Sequence, residues 1–356
     1  ILQSKLQDRT ALEFLENSDF LFIATRQHFK DDETSDLSIS SVNAYENLIR
    51  SFPDELYSKL TTNKLLAIYQ IIRSSKKGVL IGRLLDFLLI VLPKLQDDIP
   101  SIAYCFPRSF FLPENDEDDD PLTSILVIMF YTKLLNLEIN ETVVNNIKKP
   151  LYELTKMFSE RETNLTVQSY YTNQLVSLLS AWSYSKNPVL STYLTELVKK
   201  FELFKSYNLF LLTSSDDILL VSEFNPDKFD NPQLLSDLKE MIPLYNKKYI
   251  SILLNLISSE TQFYELVRSN IISSTKIIAL PRDFLYTVLQ QITKFKYSTK
   301  WLLSSQQQLV SEYVIASPKG IVDVAVWNSK RETLENLLWR NTNDELEPWL
   351  LSIKET

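Results

Sequence analysis

The sequence predicts an all-α fold made of many short helices. Three observations predict it. Apolar residues recur at helical spacing along most of the chain, start and stop signals fall between these segments, and strand-like alternation is scarce. Glycine usage points the same way. The 356 residues include three glycines, Gly78, Gly82 and Gly320, against roughly 7% in average usage. Glycine hairpins and glycine C-caps are therefore few, and the loops fall to Asn, Asp, Ser and Pro.

The first elements are read from apolar spacing. Leu6, Leu12, Leu15 and Phe20 to Ile23 give a helical period, followed by a polar loop over 30–41. Leu48, Ile49 and Phe52 mark a short helix ended by Pro53. A helix through Leu65, Leu66, Ile68, Tyr69, Ile71 and Ile72 ends in Arg73, Lys76, Lys77 and Gly78, basic residues before a glycine stop. Val79 to Leu92 is predicted as a core helix stopped near Pro93. It is shorter than the roughly 20 apolar residues that span a bilayer, and it carries Arg83 and Asp86, spaced to pair on one face. The stretch CFPRSFFLP (105–113) is an apolar, proline-bounded connector.

An acidic run, Asp116 to Asp120, precedes the next apolar segment. Asp120 suits the N-cap and Pro121 the first helical position, and negative charge complements a helix N-terminus. The other charges read as a solvated loop, with a docking loop for a basic partner as the alternative. Leu122, Ile125, Leu126, Met129, Phe130 and Leu134 then continue at helical spacing. Further helices are predicted over 141–158, 166–184, 189–204, 206–221, 232–241, 245–258, 260–272, 282–295, 306–315, 331–340 and 344–353. Asn187-Pro188 and Asn231-Pro232 supply cap and first-turn signals, Ser259 to Gln262 fits a capping box, and Leu280-Pro281 separates two helices. KGIVDVAVW (319–327) alternates like a strand, but a lone strand needs a partner, so a short helix fits equally well.

Helix pairs recur loosely, about every 40 residues. This spacing resembles the degenerate HEAT or armadillo class of helical repeats. The resemblance covers most of the chain and is architectural. It implies an irregular α-α superhelix and carries no functional residue. The expected organisation is an N-terminal helical lobe (1–112), the acidic loop (113–120) and a C-terminal helical repeat lobe (121–356) continuous with the first.

Composition narrows the chemistry. The chain is 45% apolar and 12% aromatic, enough to bury a large core. Its net charge of −8, from 37 basic and 45 acidic residues, disfavours a general nucleic-acid role but leaves room for a local basic patch. Phosphate-cradling glycine loops are absent. One cysteine, Cys105, and one histidine, His28, leave no intrachain disulfide, Cys–His metal site or Ser–His–Asp triad beyond what His28 could supply. A single free cysteine suits a reducing compartment. The chain starts Ile1-Leu2-Gln3 and reads as part of a longer protein. No cofactor, metal or catalytic residue is expected.

Two residue groups remain as partner-binding candidates. Basic pairs recur, and Lys148, Lys149, Lys199 and Lys200 stand out. Lysines near helix C-termini complement the helix dipole and keep a surface wet. In a stacked array they can also line up into a ridge for an acidic or extended peptide segment, or for a phosphate backbone. Four of the five tryptophans lie beyond residue 300. Of these, Trp339 and Trp349 could close the core or form a docking surface. The expected function is a non-enzymatic helical scaffold or adaptor that binds protein partners within a larger intracellular complex, in nucleus or cytoplasm. The second reading is a nucleic-acid or chromatin-associated array using a local basic ridge. No membrane partner is expected.

Overall fold

The computed structural model describes residues 78–95, 99–111, 121–161, 169–204, 215–229, 247–316 and 323–340, together with Trp349. The predictions made before residue 78, and for 112–120, 232–241 and most of 344–353, lie outside these residues, as does His28. The fold is all-α. Many helices pack together, and no strand occurs among the described residues, consistent with an irregular helical repeat array. The chain divides into two compact units, Ile1–Phe201 and Glu202–Thr356.

The first unit contains α1 (Gly78–Leu95), α2 (Pro121–Leu134), α3 (Glu141–Ser159), α4 (Ser169–Ser183) and α5 (Pro188–Lys200). α1 packs on α2, α2 on α4, and α3 on α5, with α4 also touching α3 and α5. From α2 on, alternate helices therefore stack in two rows, as in helical repeat arrays. Gly78 opens α1, and Pro93 lies inside α1 instead of stopping it. A Cβ on Gly82 would sit 3.2 Å from Leu126 Cδ1, so glycine permits the close approach of α1 and α2. Asp86, expected to face Arg83, is met by Lys133 of α2 at 3.3 Å.

The connector between α1 and α2 forms part of the core. Two 3-10 turns, Ser101–Ala103 and Arg108–Phe110, bring Phe106 and Phe111 against Phe130 and Tyr131 of α2. The Tyr131 hydroxyl is buried; it donates to Tyr104 O (2.8 Å) and accepts from Phe106 N–H (3.0 Å). Pro150, inside α3, has no N–H for the carbonyl of Asn146. The Cys105 thiol donates to that carbonyl at 3.3 Å. A connector residue thus satisfies the group that the proline leaves free.

The second unit contains α6 (Ser215–Glu223), α7 (Lys247–Ile257), α8 (Glu260–Arg268), α9 (Ser274–Ile278), α10 (Arg282–Thr293), α11 (Lys296–Ser305), α12 (Gln307–Leu309) running into a π-helix (Val310–Ile315), and α13 (Val324–Arg340). α6, α7, α10 and α13 pack in sequence as one row, while α8 and α11 touch beside it. Asn270 shows how the chain ends a helix without glycine. It takes the left-handed conformation (φ 53°) after α8. Its N–H bonds Val267 O and the following Ile271 N–H bonds Leu266 O, both at 2.9 Å, a Schellman motif with Asn at the glycine position. Residues from Val324 onward are helical, so the strand alternative for 319–327 fails there: Asp323 Oδ1 accepts from Ala325 N–H at 2.8 Å and turns the chain into α13.

Asn255 of α7 ties two successive elements of this row. Its buried amide donates to Val221 O (2.9 Å) and Phe224 O (2.7 Å) at the end of α6. Alanine there leaves both carbonyls short of a donor, at roughly 1–3 kcal/mol each. Asn255→Ala is expected to destabilise the second unit by about 2–3 kcal/mol, read as faster amide hydrogen exchange across α6. Unchanged exchange would show that the carbonyls find other donors.

Candidate functional site

The predicted lysines are positioned by α3 and α5. α3 is capped by Asn140, whose side chain accepts from Val143 N–H at 2.9 Å. Its buried stripe, Val143, Val144, Ile147, Leu151, Leu154 and Phe158, leaves Lys148 and Tyr152 half-buried at the edge. α5 starts as the sequence predicts: Asn187 accepts from Val189 N–H (3.0 Å) and Leu190 N–H (3.2 Å), and Pro188 fills the first position. Leu190, Leu194, Leu197 and Val198 bury its inner side. Beneath it lies Trp182 of α4, fully buried, with its indole N–H donating to Leu190 O at 2.9 Å.

Two lysine–tyrosine couples join the helices across their seam. Lys148 Nζ lies 5.7 Å from the centre of the Tyr193 ring, and the Tyr193 hydroxyl donates to Lys148 O at 3.2 Å. Lys200 Nζ lies 4.7 Å from the Tyr152 ring centre, and Tyr152 packs on Phe201 at 5.3 Å. The couples advance in the same direction along both helices, so α3 and α5 run parallel. Each cation sits on a ring face, worth roughly 0.5–1 kcal/mol at an exposed site. Lys148 also donates to Asn145 Oδ1 at 2.8 Å. Burial, followed by the neighbouring Tyr152 and Glu196, pushes the Tyr193 hydroxyl above its ordinary pKa, so it remains a donor.

An open cavity of about 350 Å³ lies in this seam, lined by Lys148, Pro188, Val189, Thr192, Tyr193 and Glu196. Its lining combines the apolar groups of Pro188, Val189 and Tyr193 with one cation and one anion. The structure thus brings Lys148 and Lys200 onto one seam. Lys149 and Lys199, one residue away from them on each helix, are exposed, as is Lys200, while Lys148 is half-buried. Tyr152 and Tyr193 were missed by the sequence reading. The spacing Lys148–Tyr152, one helical turn, was a usable signal. Tyr193 needed the α3–α5 pairing to be found.

The tryptophan candidates lie in the second unit. Trp339 falls in the last turn of α13, and Trp349 is half-buried beyond that helix. Trp327, which the sequence reading did not put forward, is 42% exposed. Its ring is covered by the Arg331 guanidinium at 5.7 Å, one turn along α13. Among the described residues no cluster of His, Cys, Asp and Glu can hold a metal ion, and no described helix is long and apolar enough to cross a membrane.

Residues 6–136 match the family described as DNA mismatch repair protein HSM3, N terminal domain. Residues 140–356 match the C terminal domain of the same protein. The DNA mismatch repair protein HSM3 of Debaryomyces hansenii is 34% identical over 355 residues, which are 96% of this chain and 67% of the relative. That of Scheffersomyces stipitis is 30% identical over 360 residues, 98% of this chain and 70% of the relative. The Saccharomyces cerevisiae protein of the same name is 24% identical over 312 residues, 85% of this chain and 61% of the relative. With both domains matched and these identities over almost the whole sequence, the chain belongs to the family of the DNA mismatch repair protein HSM3.

Proposed function

We propose that this chain works within an intracellular complex by holding a protein partner against the α3–α5 seam. Its class is that of its family: a non-enzymatic, all-helical protein-interaction adaptor. The observation that supports the seam is the pair of lysine–tyrosine couples, Lys148 with Tyr193 and Tyr152 with Lys200. Amines held over rings present positive charge on a preordered surface, and charge of that kind sets encounter rate and register more than raw affinity. An acidic partner is the complement. The relatives' name associates them with DNA mismatch repair, which favours the nucleus as the site of action for this chain too. In that setting the chain joins proteins and leaves DNA contact to others, in keeping with a net charge of −8.

Affinity purification of the tagged chain at two salt concentrations, with and without nuclease, tests this. A stoichiometric protein partner that survives nuclease and high salt is expected, and its identity names the complex. Direct DNA contact through four lysines would instead lose about two decades of affinity between roughly 50 and 200 mM salt. Recovery of nucleic acid alone, lost on that scale, would replace the adaptor reading with the basic-ridge reading.

A further inference from the structure

We infer that the α3–α5 seam takes an extended acidic segment of a partner protein, anchored by one apolar side chain in the cavity between Lys148 and Tyr193. This rests on the seam reading above and names the chemistry of its ligand. Three features of the seam specify that ligand. The first is the cavity itself. At about 350 Å³ and lined on its apolar side by Pro188, Val189 and Tyr193, it has room for one large apolar side chain. Its apolar lining is confined to the first turns of α5; farther along come Glu196 and Lys200. A docked helix needs a continuous apolar groove for anchors one and two turns apart. An extended chain needs a single pocket and a polar track, as the seam provides.

The second feature is charge order. Along the seam lie Lys148 at Tyr193, then Glu196, then Lys200 at Tyr152. The complementary segment therefore places an acid beside its anchor and a second acid farther on. Any basic residue between them meets Glu196. The third feature is distance. Tyr193 and Lys200 are two turns apart on α5, roughly 10 Å at 1.5 Å per residue. An extended chain covers that in about three residues. The motif is thus a large aliphatic residue next to an acidic one, with a second acidic residue about three positions on.

A short fluorescein-labelled peptide carrying leucine and two glutamates at this spacing is the probe, titrated against the whole chain by anisotropy. Three controls accompany it: the same peptide with leucine replaced by serine, one with the glutamates made adjacent, and a labelled single-stranded oligonucleotide. Thr192→Trp fills the cavity from an exposed position of α5, and circular dichroism checks that the helices persist. Burying a leucine is worth about 10- to 100-fold in affinity. The leucine peptide is expected to bind at least about tenfold tighter than the serine peptide, and Thr192→Trp to erase that difference while leaving the serine peptide unaffected. Equal binding of the two peptides, or unchanged binding to Thr192→Trp, overturns the cavity anchor. Loss of binding in Lys148→Glu and Lys200→Glu would then still uphold the charged seam. Tighter binding of the adjacent-glutamate peptide overturns the spacing. An oligonucleotide that displaces the peptide overturns the protein-segment ligand. If the wild-type chain binds no peptide at all, the inference fails, and the purification experiment judges the seam independently.

Discussion

Trp182→Ala is expected to lower the melting temperature of the first unit by on the order of 10 °C. Trp182 is the largest fully buried side chain described, and removing a buried tryptophan costs about 3–5 kcal/mol in lost transfer energy and cavity formation. Its indole N–H also satisfies Leu190 O at 2.9 Å, in the first turn of α5. That carbonyl is buried with its residue, so its loss of a donor adds to the cost. The ring of Trp182 lies 5.9 Å from that of Tyr193, so the cavity would open directly under the seam. Destabilisation and seam damage are therefore coupled: amide exchange across α5 should accelerate before that of α2. Trp182→Phe keeps most of the ring volume and loses the hydrogen bond, and is expected to cost about a third as much. A Trp182→Ala chain that melts like the wild type would mean that α5 is held by other contacts.

Much of this fold could be read from local signals. The caps at Asn187 and Ser259 are where the sequence places them, with Ser259 accepting from Gln262 N–H at 3.2 Å, and α2 opens on Pro121. These signals are legible because a cap and its target lie within one turn. What escaped was non-local. Pro150 is tolerated inside α3 because Cys105, far away in sequence, supplies a donor to the freed carbonyl. Pro93 likewise sits within α1, where a stop was expected. The strand-like alternation of 319–327 carries no information about pairing, and from Asp323 on the local cap decides for helix. The candidate site divides the same way. Its lysines were visible as sequence pairs. Their grouping was not, because Lys148 and Lys200 come onto one seam only when α3 and α5 stack with α4 between them in sequence. The tyrosines that seat them were hidden for the same reason.

That stacking separates the four lysines into two kinds. Successive helical residues are displaced by about 100° around the axis, so Lys148 and Lys149 cannot share one direction, nor can Lys199 and Lys200. Only Lys148 and Lys200 are seated on seam tyrosines. Single reversals to glutamate should therefore be unequal. Replacing an attractive contact with a repulsive one at a partly exposed site changes the interaction by roughly 1–2 kcal/mol. Lys148→Glu and Lys200→Glu are each expected to weaken the acidic partner about tenfold or more, mostly through slower association at low salt. Lys149→Glu and Lys199→Glu, seated on neither seam tyrosine, should change affinity less than about threefold, since they act only through the screened long-range field. The same four variants separate a seam from a diffuse basic ridge. A nucleic acid held by counterion release responds to each lysine alike, with the salt slope falling by nearly one per lost contact. Four equal losses, measured by surface plasmon resonance across a salt series, would dissolve the seam as a unit. Two large and two small losses would establish that the partner reads the geometry of α3 and α5, and not the charge of the surface as a whole.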